Sequence, residues 1–362
     1  MKREVFYPPV GIAHVTNKLS DLILYKYKGQ KKIIINTSAQ PNSSPHLGTI
    51  TTLMTAFALA SKIRDDLKVE TGVQFDELEN SPAETIEYNG EIYYKDQRHS
   101  YYNQESKEQV NMRRFEEILE KLSIFANVPY SIRSYNEFQN NKYVRRAIIN
   151  IVNEKKYFKE LLFPSEADLH IRTICPTCGL GKKSIKKLEE KHNRNELILK
   201  GCCPLHGQYE IKITENNKEY VDVNTQFRDL TKGVAMLEED MENNTLTIML
   251  DGGDWAGIWA QRMHTEGLIK LGFTEFPIRF FAPVILDWSG AKFSKSLYLK
   301  NDAYKDINSA FINYDNFIEY YGEYGMDKLW NEVKSWIDEP KKFFRNYSVD
   351  YFQMVMEKNN NE

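Results

Sequence analysis

The sequence feature that most constrains the fold is a continuous apolar run, "KKIIINT", at residues 31–37. A run of β-branched residues without polar alternation predicts a strand that is covered on both faces, as in a parallel sheet. The run leads into a Ser-, Pro- and Asn-rich loop and then into residues 46–66, whose apolar residues recur at helical spacing. We expect Ser43 or Ser44 to cap this helix, with Pro45 in its first turn.

Strands and helices alternate along most of the chain, which predicts an α/β fold with a Rossmann-like parallel sheet. Strand-like segments are expected at 70–82, 244–250 and 276–286, and helical segments at 104–126, 136–163 and after residue 301. We divide the chain into a first half of the α/β domain with a helical insertion (1–165), a cysteine-bearing insertion (166–220), a second half of that domain (221–300) and a C-terminal helical segment (301–362).

Composition and charge exclude several classes of protein. The chain contains no run of 18 apolar residues, and its first ten residues, "MKREVFYPPV", lack the apolar stretch of a secretory signal. We therefore expect no membrane span and a cytoplasmic protein. The formal net charge is −3, so no global basic field recruits nucleic acid, although a local basic patch remains compatible with it.

The four cysteines lie within residues 175–203, in the pattern "CPTCG" followed by "CPLHG". The two five-residue motifs are the same turn written twice, with a histidine replacing one cysteine. The set Cys175, Cys178, Cys203 and His206 offers three sulfurs and one nitrogen, which suits a closed, structural Zn²⁺ site. Cys202 is the spare cysteine. Free or buried thiols and a rubredoxin-like iron site are the alternatives.

The loop "QPNSSPHLGT" (40–49) is a candidate phosphate site. The N-terminus of a helix presents unpaired N–H groups and a partial positive charge. His46 can donate a hydrogen bond to a phosphate oxygen, and Gly48 lets a nucleotide approach the backbone. The alternative is a capped helix that carries an incidental histidine.

A second candidate phosphate site is the loop "GAKFSKS" (290–296), which follows the strand-like segment 276–286. Lys292 and Lys295 are three residues apart and can clamp a pyrophosphate as negative charge builds on it. Taken alone, this pattern is equally typical of a solvated basic loop.

Together the two loops resemble the signatures of class I aminoacyl-tRNA synthetases, with "PHLGT" for HIGH and "KFSKS" for KMSKS. Three further stretches, "VQFDELENSP", "YVDVNTQFRDL" and "DGGDWAGIWAQRM", resemble the lysyl enzymes of class I, and the methionyl type is the second choice. The resemblance covers roughly residues 30–300. It departs from the family at Thr49, which stands where HIGH has its second histidine.

The resemblance implies ATP-dependent activation of an amino acid, with Mg²⁺ accompanying the nucleotide. It implies catalytic roles for His46, Thr49, Lys292 and Lys295, and ATP contacts for Asn42, Gly48, Gly252, Gly253, Asp254, Ser294 and Ser296. Asp254 is the candidate that binds the ribose hydroxyls, and Asp251 is the second candidate for that role. Alternatively, Asp254 only caps the N-terminus of a helix. Asp76, Glu77 and Glu79 are candidates for the ammonium groups of the amino acid, or form a solvated strand end.

The acceptor of the activated group stays open at this point. We interpret the 66 residues after Ser296 as too few for a full anticodon-binding domain. The aminoacyl group is therefore expected to go either to tRNA or to another nucleophile, such as a small amine or a carrier protein. Lysine or a derivative is the first expected substrate and methionine the second. A non-catalytic nucleotide-binding regulatory module is the alternative from another functional class.

Overall fold

The computed structural model describes residues 5–78, 81–96, 99, 101–102, 105–182, 190–294, 304 and 307–357. The strands are β1 (Lys32–Ala39), β2 (Glu70–Glu77), β3 (Pro82–Tyr88), β4 (Glu91–Asp96), β5 (Tyr101–Tyr102), β6 (Glu105–Ser106), β7 (Tyr130–Arg133), β8 (Ile171–Arg172), β9 (Gly181–Lys182), β10 (Glu190–His192), β11 (Glu196–Cys203), β12 (Gly207–Thr214), β13 (Asp222–Val223), β14 (Thr245–Gly252), β15 (Ile278–Ala282), β16 (Ile285–Leu286) and β17 (Tyr347–Ser348).

The α-helices are α1 (Leu47–Leu67), α2 (Lys107–Ala126), α3 (Tyr135–Asn140), α4 (Lys142–Asn153), α5 (Lys155–Leu162), α6 (Thr225–Asn243), α7 (Ile258–Gln261), α8 (Gly267–Lys270), α9 (Tyr314–Asp338), α10 (Pro340–Phe343) and α11 (Val349–Glu357). A π-helical turn occupies Arg262–Glu266, and 3₁₀ turns occupy Gly11–His14, Leu19–Ile23, Gly253–Trp255 and Ser309–Phe311.

Five strands of the described residues form one parallel sheet in the order β7–β2–β1–β14–β15. The chain builds outward from β1 through β2 to β7, returns to the other side of β1, and continues through β14 to β15. This is the order of doubly wound α/β folds, in which the order reverses between β1 and β14. The predicted mixed α/β fold with a parallel sheet is confirmed.

The apolar run that opened the sequence analysis forms the centre of this sheet. Ile33 and Ile35 of β1 are fully buried, as a strand covered on both faces requires. Helix α1 follows β1 and is buried on most of its circumference, because α9 packs against it on the side away from the sheet. The first core cluster joins α1, α2 and the C-terminal helices, with Phe57 and Trp336 fully buried in it.

A second core cluster lies among α4, α6 and the hairpin β11–β12 of the insertion. Phe227 of α6 and Leu199 of β11 are fully buried there. The hairpin β3–β4 also pairs with β9, through Tyr93 opposite Lys182. Residues 82–96 therefore share a sheet with the insertion, a long-range pairing that local sequence patterns do not reveal.

Several local predictions are wrong. Helix α1 is capped by His46 rather than by Ser43 or Ser44, and Pro45 precedes it. The segment 136–163 is helical, as predicted, but it is divided into α3, α4 and α5, and the Asn141 side chain caps the start of α4 by accepting from two backbone N–H groups. The segment 276–286 is divided into β15 and β16.

Candidate active site

A cavity of about 670 Å³ opens at the carboxyl ends of β1 and β14, where the strand order reverses. Ligands of open α/β sheets bind at this position, because the loops that leave the two strands diverge there. The lining residues are Ser38, Ala39, Gln40, Asn42, Ser43, Ser44, Pro45, His46, Thr49, Leu78, Phe115, Thr225, Arg228, Asp229, Lys232, Asp251, Gly252, Trp255, Arg279, Lys292 and Ser294. The cavity therefore brings both motif loops together with α6 and β15.

His46 is held in one orientation at the start of α1. Its Nδ1 accepts a hydrogen bond of 3.0 Å from the backbone N–H of Gly48, so the ring proton of the neutral imidazole lies on Nε2. A Cβ on Gly48 would lie 3.0 Å from His46 Cε1. The sequence analysis expected Gly48 to make room for a nucleotide, whereas the structure places the imidazole of His46 against it.

The loop that begins at Lys292 contacts the tip of α1 directly. Phe293 is buried and packs edge-on against the His46 ring, with centroids 5.6 Å apart. Its backbone N–H donates to the carbonyl of Ile285, which anchors the loop on β16. Lys292 and Ser294 line the main cavity. Lys295 and Ser296, the other predicted residues of this loop, lie outside the described residues.

A smaller cavity of about 150 Å³ adjoins the main one and is lined by the predicted ribose-side residues Gly48, Gly252, Gly253 and Asp254. A carboxylate oxygen of Asp254 lies 2.5 Å from Lys292 Nζ, so the predicted ribose ligand and the predicted phosphate ligand form an ion pair. A Cβ on Gly253 would lie 2.9 Å from the Ala282 carbonyl oxygen. Close packing against β15 therefore requires this glycine.

Asn42 lines the main cavity, as predicted for an ATP contact, and its Nδ2 donates to Ser81 Oγ at 3.1 Å. Trp255 also lines both cavities.

The predicted ammonium-binding role of Asp76 does not fit its position. Asp76 is fully buried, and its two oxygens accept from Arg133 Nε and Nη2 at 2.8 and 2.9 Å. Lys232 Nζ lies 3.5 Å away. Burial alone would raise the pKa of Asp76, but Arg133 and Lys232 outweigh it and hold that pKa below its ordinary value. Glu77 is buried at the end of the same strand, and Glu79 lies outside the described residues.

A charge network on α6 and β15 forms another wall of the main cavity. Arg279 reaches Asp229 at 2.9 Å and Asp251 at 2.5 Å. His264 Nε2 lies 3.2 Å from Asp229 Oδ2, so this histidine is part of the same network. Burial raises the pKa of Asp229, but Arg279 and His264 lower it far below the ordinary range. Asp251, the second candidate for binding the ribose hydroxyls, is thus paired with Arg279.

Three cations that line the cavity, Arg228, Lys232 and Arg279, were not predicted as site residues from the sequence. A signal for Arg279 exists in the sequence, because it is a charged residue inside the apolar strand "IRFFA". Arg228 and Lys232 have no comparable signal, since α6 carries charged residues on several sides.

The candidate metal centre lies in the insertion, away from this cavity. The ligand atoms of Cys175, Cys178, Cys203 and His206 all lie within 4.8 Å of one another. Cys178 Sγ is 3.5 Å from Cys203 Sγ, and His206 Nδ1 is 3.5 Å from Cys203 Sγ. A tetrahedral ion with bonds of about 2.3 Å to sulfur separates its ligand atoms by roughly this distance. The four side chains can therefore hold a metal ion.

The two turns of this centre have the backbone geometry that the duplicated motif predicts. Gly179 and Gly207 adopt positive φ angles of 73° and 77°. This left-handed backbone conformation is unfavourable for residues that have a Cβ atom. Burial would raise the pKa of the Cys175 thiol, but backbone N–H groups of Cys178 and Thr177 lower it to about 6. A thiol stabilised as thiolate is the form that binds metal. Cys202 is exposed and lies outside the cluster.

Within the residues that the structure describes, every helix is too short or too polar to cross a lipid bilayer.

Comparison of the chain with family models and with curated proteins finds no match. Similar solved structures include Mycobacterium tuberculosis methionyl-tRNA synthetase in complex with methionyl-adenylate (12% identity, TM-score 0.45, 91% of this chain and 69% of that chain). Others are a glutamate tRNA ligase from Elizabethkingia meningosepticum in complex with its amino acid (12%, 0.40, 89% and 68%) and Plasmodium falciparum tryptophanyl-tRNA synthetase (11%, 0.35, 94% and 83%). All three TM-scores are below 0.5, so the fold assignment rests on the strand order of the chain itself.

Proposed function

We propose that this protein activates an amino acid with ATP, forming an aminoacyl adenylate and pyrophosphate. One observation carries the proposal: the helix tip with His46 and the loop with Lys292, far apart in sequence, line one cavity at the switch point of the sheet. The two loops also contact each other directly, through the rings of His46 and Phe293.

The start of α1 would bind the phosphates of ATP. Its first N–H groups and its partial positive charge favour an anion. His46 points its Nε2 proton away from Gly48, because Nδ1 is already an acceptor. That proton would be donated to a phosphate oxygen. Thr49 would contribute a hydroxyl, a weaker contact than the charged histidine that HIGH has at this place.

Lys292 would stabilise the leaving pyrophosphate. In the reaction, a carboxylate oxygen of the amino acid attacks the α-phosphorus, a new P–O bond forms, and the bond to the bridging oxygen of the β-phosphate breaks. The negative charge that develops on the pyrophosphate would be met by Lys292 and Lys295, with Mg²⁺ bound to the nucleotide. Positioning and charge stabilisation supply most of the rate in such transfers.

ATP would replace the ion pair between Asp254 and Lys292. The pair is partly exposed, with 49% of the lysine and 31% of the aspartate side chain accessible, so it contributes little to stability and is readily exchanged. Asp254 would then accept hydrogen bonds from the ribose hydroxyls, and Lys292 would bind the phosphates. Both predicted contacts would form in a single binding event.

The metal centre would be a structural Zn²⁺ site in this protein. Three sulfurs and one nitrogen complete a tetrahedral shell and leave no position for a substrate. The ion would then stabilise the insertion, and the chemistry would take place in the cavity at the switch point.

The acceptor of the aminoacyl group would be tRNA or another nucleophile, as the resemblance implies. A non-catalytic nucleotide-binding module is the competing function, because Thr49 weakens the phosphate contacts relative to HIGH. Both functions predict that the protein binds ATP, but only the first predicts that ATP is converted to an aminoacyl adenylate and pyrophosphate.

The test is ATP–pyrophosphate exchange with the full chain and each of the twenty amino acids, with and without tRNA. The proposal expects exchange with one amino acid or a small set, and its loss in Lys292→Ala while ATP binding persists. ATP binding without exchange under any condition would support the non-catalytic module instead. The absence of both ATP binding and exchange would refute the proposal.

A further inference from the structure

Arg228 is a buried cation that the proposed chemistry does not use. It lies on α6 and lines the main cavity, and 4% of its surface is exposed. Within the described part of the chain, its Nη1 has no hydrogen-bond partner. A buried guanidinium nitrogen without a hydrogen-bond partner is unfavourable, since it has lost its hydration and gained no acceptor in return.

The position of Arg228 is fixed by its neighbours. It lies in the first turns of α6, where its backbone N–H donates to Asn224, the residue whose side chain caps the helix. The guanidinium carbon lies 5.7 Å from the ring centroid of Tyr135, which supports one face of the planar group. A planar fork held in this way is suited to a carboxylate, which it binds through two parallel hydrogen bonds.

The other charged side chains of this wall are matched within the protein. Asp229 and Asp251 are both paired with Arg279. Lys232 Nζ lies 3.5 Å from Asp76. Arg228 is therefore the cation of this wall whose charge remains available to a ligand.

Arg228 and the phosphate-binding elements line the same cavity. Arg228 lies on α6, His46 lies at the start of α1, and Lys292 lies on the loop after β16. A ligand activated near His46 and Lys292 would extend its side chain towards Arg228, and its α-carboxylate would stay near His46 and Lys292.

We propose that the amino acid activated by this protein has an acidic side chain, whose carboxylate is bound by Arg228. This inference rests on the proposed function and names the substrate class of the same site. It differs from the lysine expected from the sequence, for which Asp76, Glu77 and Glu79 were the candidates. Of these, Asp76 is engaged by Arg133.

The experiment has two readouts, calorimetric binding of the free amino acid and ATP–pyrophosphate exchange. Wild-type protein is compared with Arg228→Gln and Arg228→Lys, using aspartate, glutamate, asparagine, glutamine, lysine and methionine. The matched control is Arg262→Gln, which removes an arginine whose side chain is 54% exposed and outside the cavity. Arg228→Met, which keeps an unbranched apolar stem but removes the guanidinium, is added as a folding control.

We expect an acidic amino acid to bind and to support exchange at least about 100-fold better than its amide, because an unpaired guanidinium remains with the amide. Arg228→Gln should remove that preference, Arg228→Lys should keep part of it, and Arg262→Gln should leave it unchanged. ATP affinity should be the same in wild type, Arg228→Gln, Arg228→Lys and Arg262→Gln. Arg228→Met should unfold at a temperature close to that of wild type, because Nη1 has no hydrogen bond to lose and the loss of the Tyr135 ring contact is offset by removal of a buried charge.

Other results would overturn the inference. Preference for lysine or methionine, equal use of acid and amide, or an equal loss of activity with every amino acid in Arg228→Gln would each do so. The proposed function can fail independently of this inference. If an acidic amino acid binds, its binding depends on Arg228, and no exchange occurs, the inference is supported and amino-acid activation is contradicted. Exchange with a non-acidic amino acid that is insensitive to Arg228 supports activation and contradicts this inference.

Discussion

The imidazole of His46 packs edge-on against Phe293, with ring centroids 5.6 Å apart and an interplanar angle of 88°. This contact joins the tip of the helix after β1 to the loop after β16. It fixes the distance between the two groups that would bind one triphosphate. A change in either ring should therefore affect the chemistry through the other.

Replacement of His46 separates helix capping from phosphate binding. In His46→Asn the side-chain oxygen can still cap α1, but it offers no N–H at the position of Nε2. We expect exchange to fall by about 100-fold, the typical effect of losing one transition-state donor, while the unfolding temperature stays close to wild type. His46→Ala should lose the cap as well and lower stability by about 1 kcal/mol. Undiminished exchange in His46→Asn would contradict the role of this residue.

Removal of the Lys292 ammonium should affect catalysis more than binding. Lys292→Ala leaves Asp254 without its partner and the pyrophosphate without one cation. We expect kcat for exchange to fall by about 100-fold or more, with a small change in the affinity for ATP. Lys342→Ala is a suitable control, because that lysine is paired with Glu339 far from the cavity. A loss of ATP affinity with kcat intact would show that Lys292 serves binding alone.

The metal centre can be tested with adjacent cysteines. Cys203→Ser removes a member of the cluster, whereas Cys202→Ser changes its exposed neighbour. We expect one equivalent of zinc in wild type and in Cys202→Ser, and its loss in Cys203→Ser together with a lower unfolding temperature. Equal zinc content in the two variants would contradict the assignment of the ligands.

Stability should fall in acid because of the buried carboxylate of Asp76. Its pKa is lowered in the folded protein, so its contribution is present above the unfolded pKa of about 3.9 and is lost as the pH falls through the folded value. Asp76→Asn should be less stable by about 3 kcal/mol or more at neutral pH, since Arg133 loses its buried partner. The difference between the two proteins should shrink below about pH 4 in denaturant titrations. A difference that does not change with pH would contradict the ion pair.

The sheet could be predicted from the sequence, and the two candidate loops could be located in it, because these are local patterns. An apolar run, a helix start and a lysine pair each occupy a few consecutive residues. The role of the acidic residue Asp76 at the end of β2 was predicted wrongly, because it depends on a contact that is not local in sequence. Asp76 stands opposite Arg133 in the pairing of β2 with β7, and no local pattern reveals that register. The same reasoning applies to Arg279, whose partners come from α6 and β14.

The insertion shows the same contrast. The four residues that can hold a metal ion were predicted together, because the duplicated motif places them in order along the chain. The addition of β3 and β4 to β9 was not predicted, since it depends on strands that are far apart in the chain.

The most direct test of the central claim is a crystal structure of this protein with a non-hydrolysable ATP analogue. We expect the phosphates to lie between the start of α1 and Lys292, within hydrogen-bond distance of His46 Nε2, and the ribose to contact Asp254 in place of Lys292. An analogue bound on another surface, or phosphates that contact neither His46 nor Lys292, would contradict the proposed activation of an amino acid.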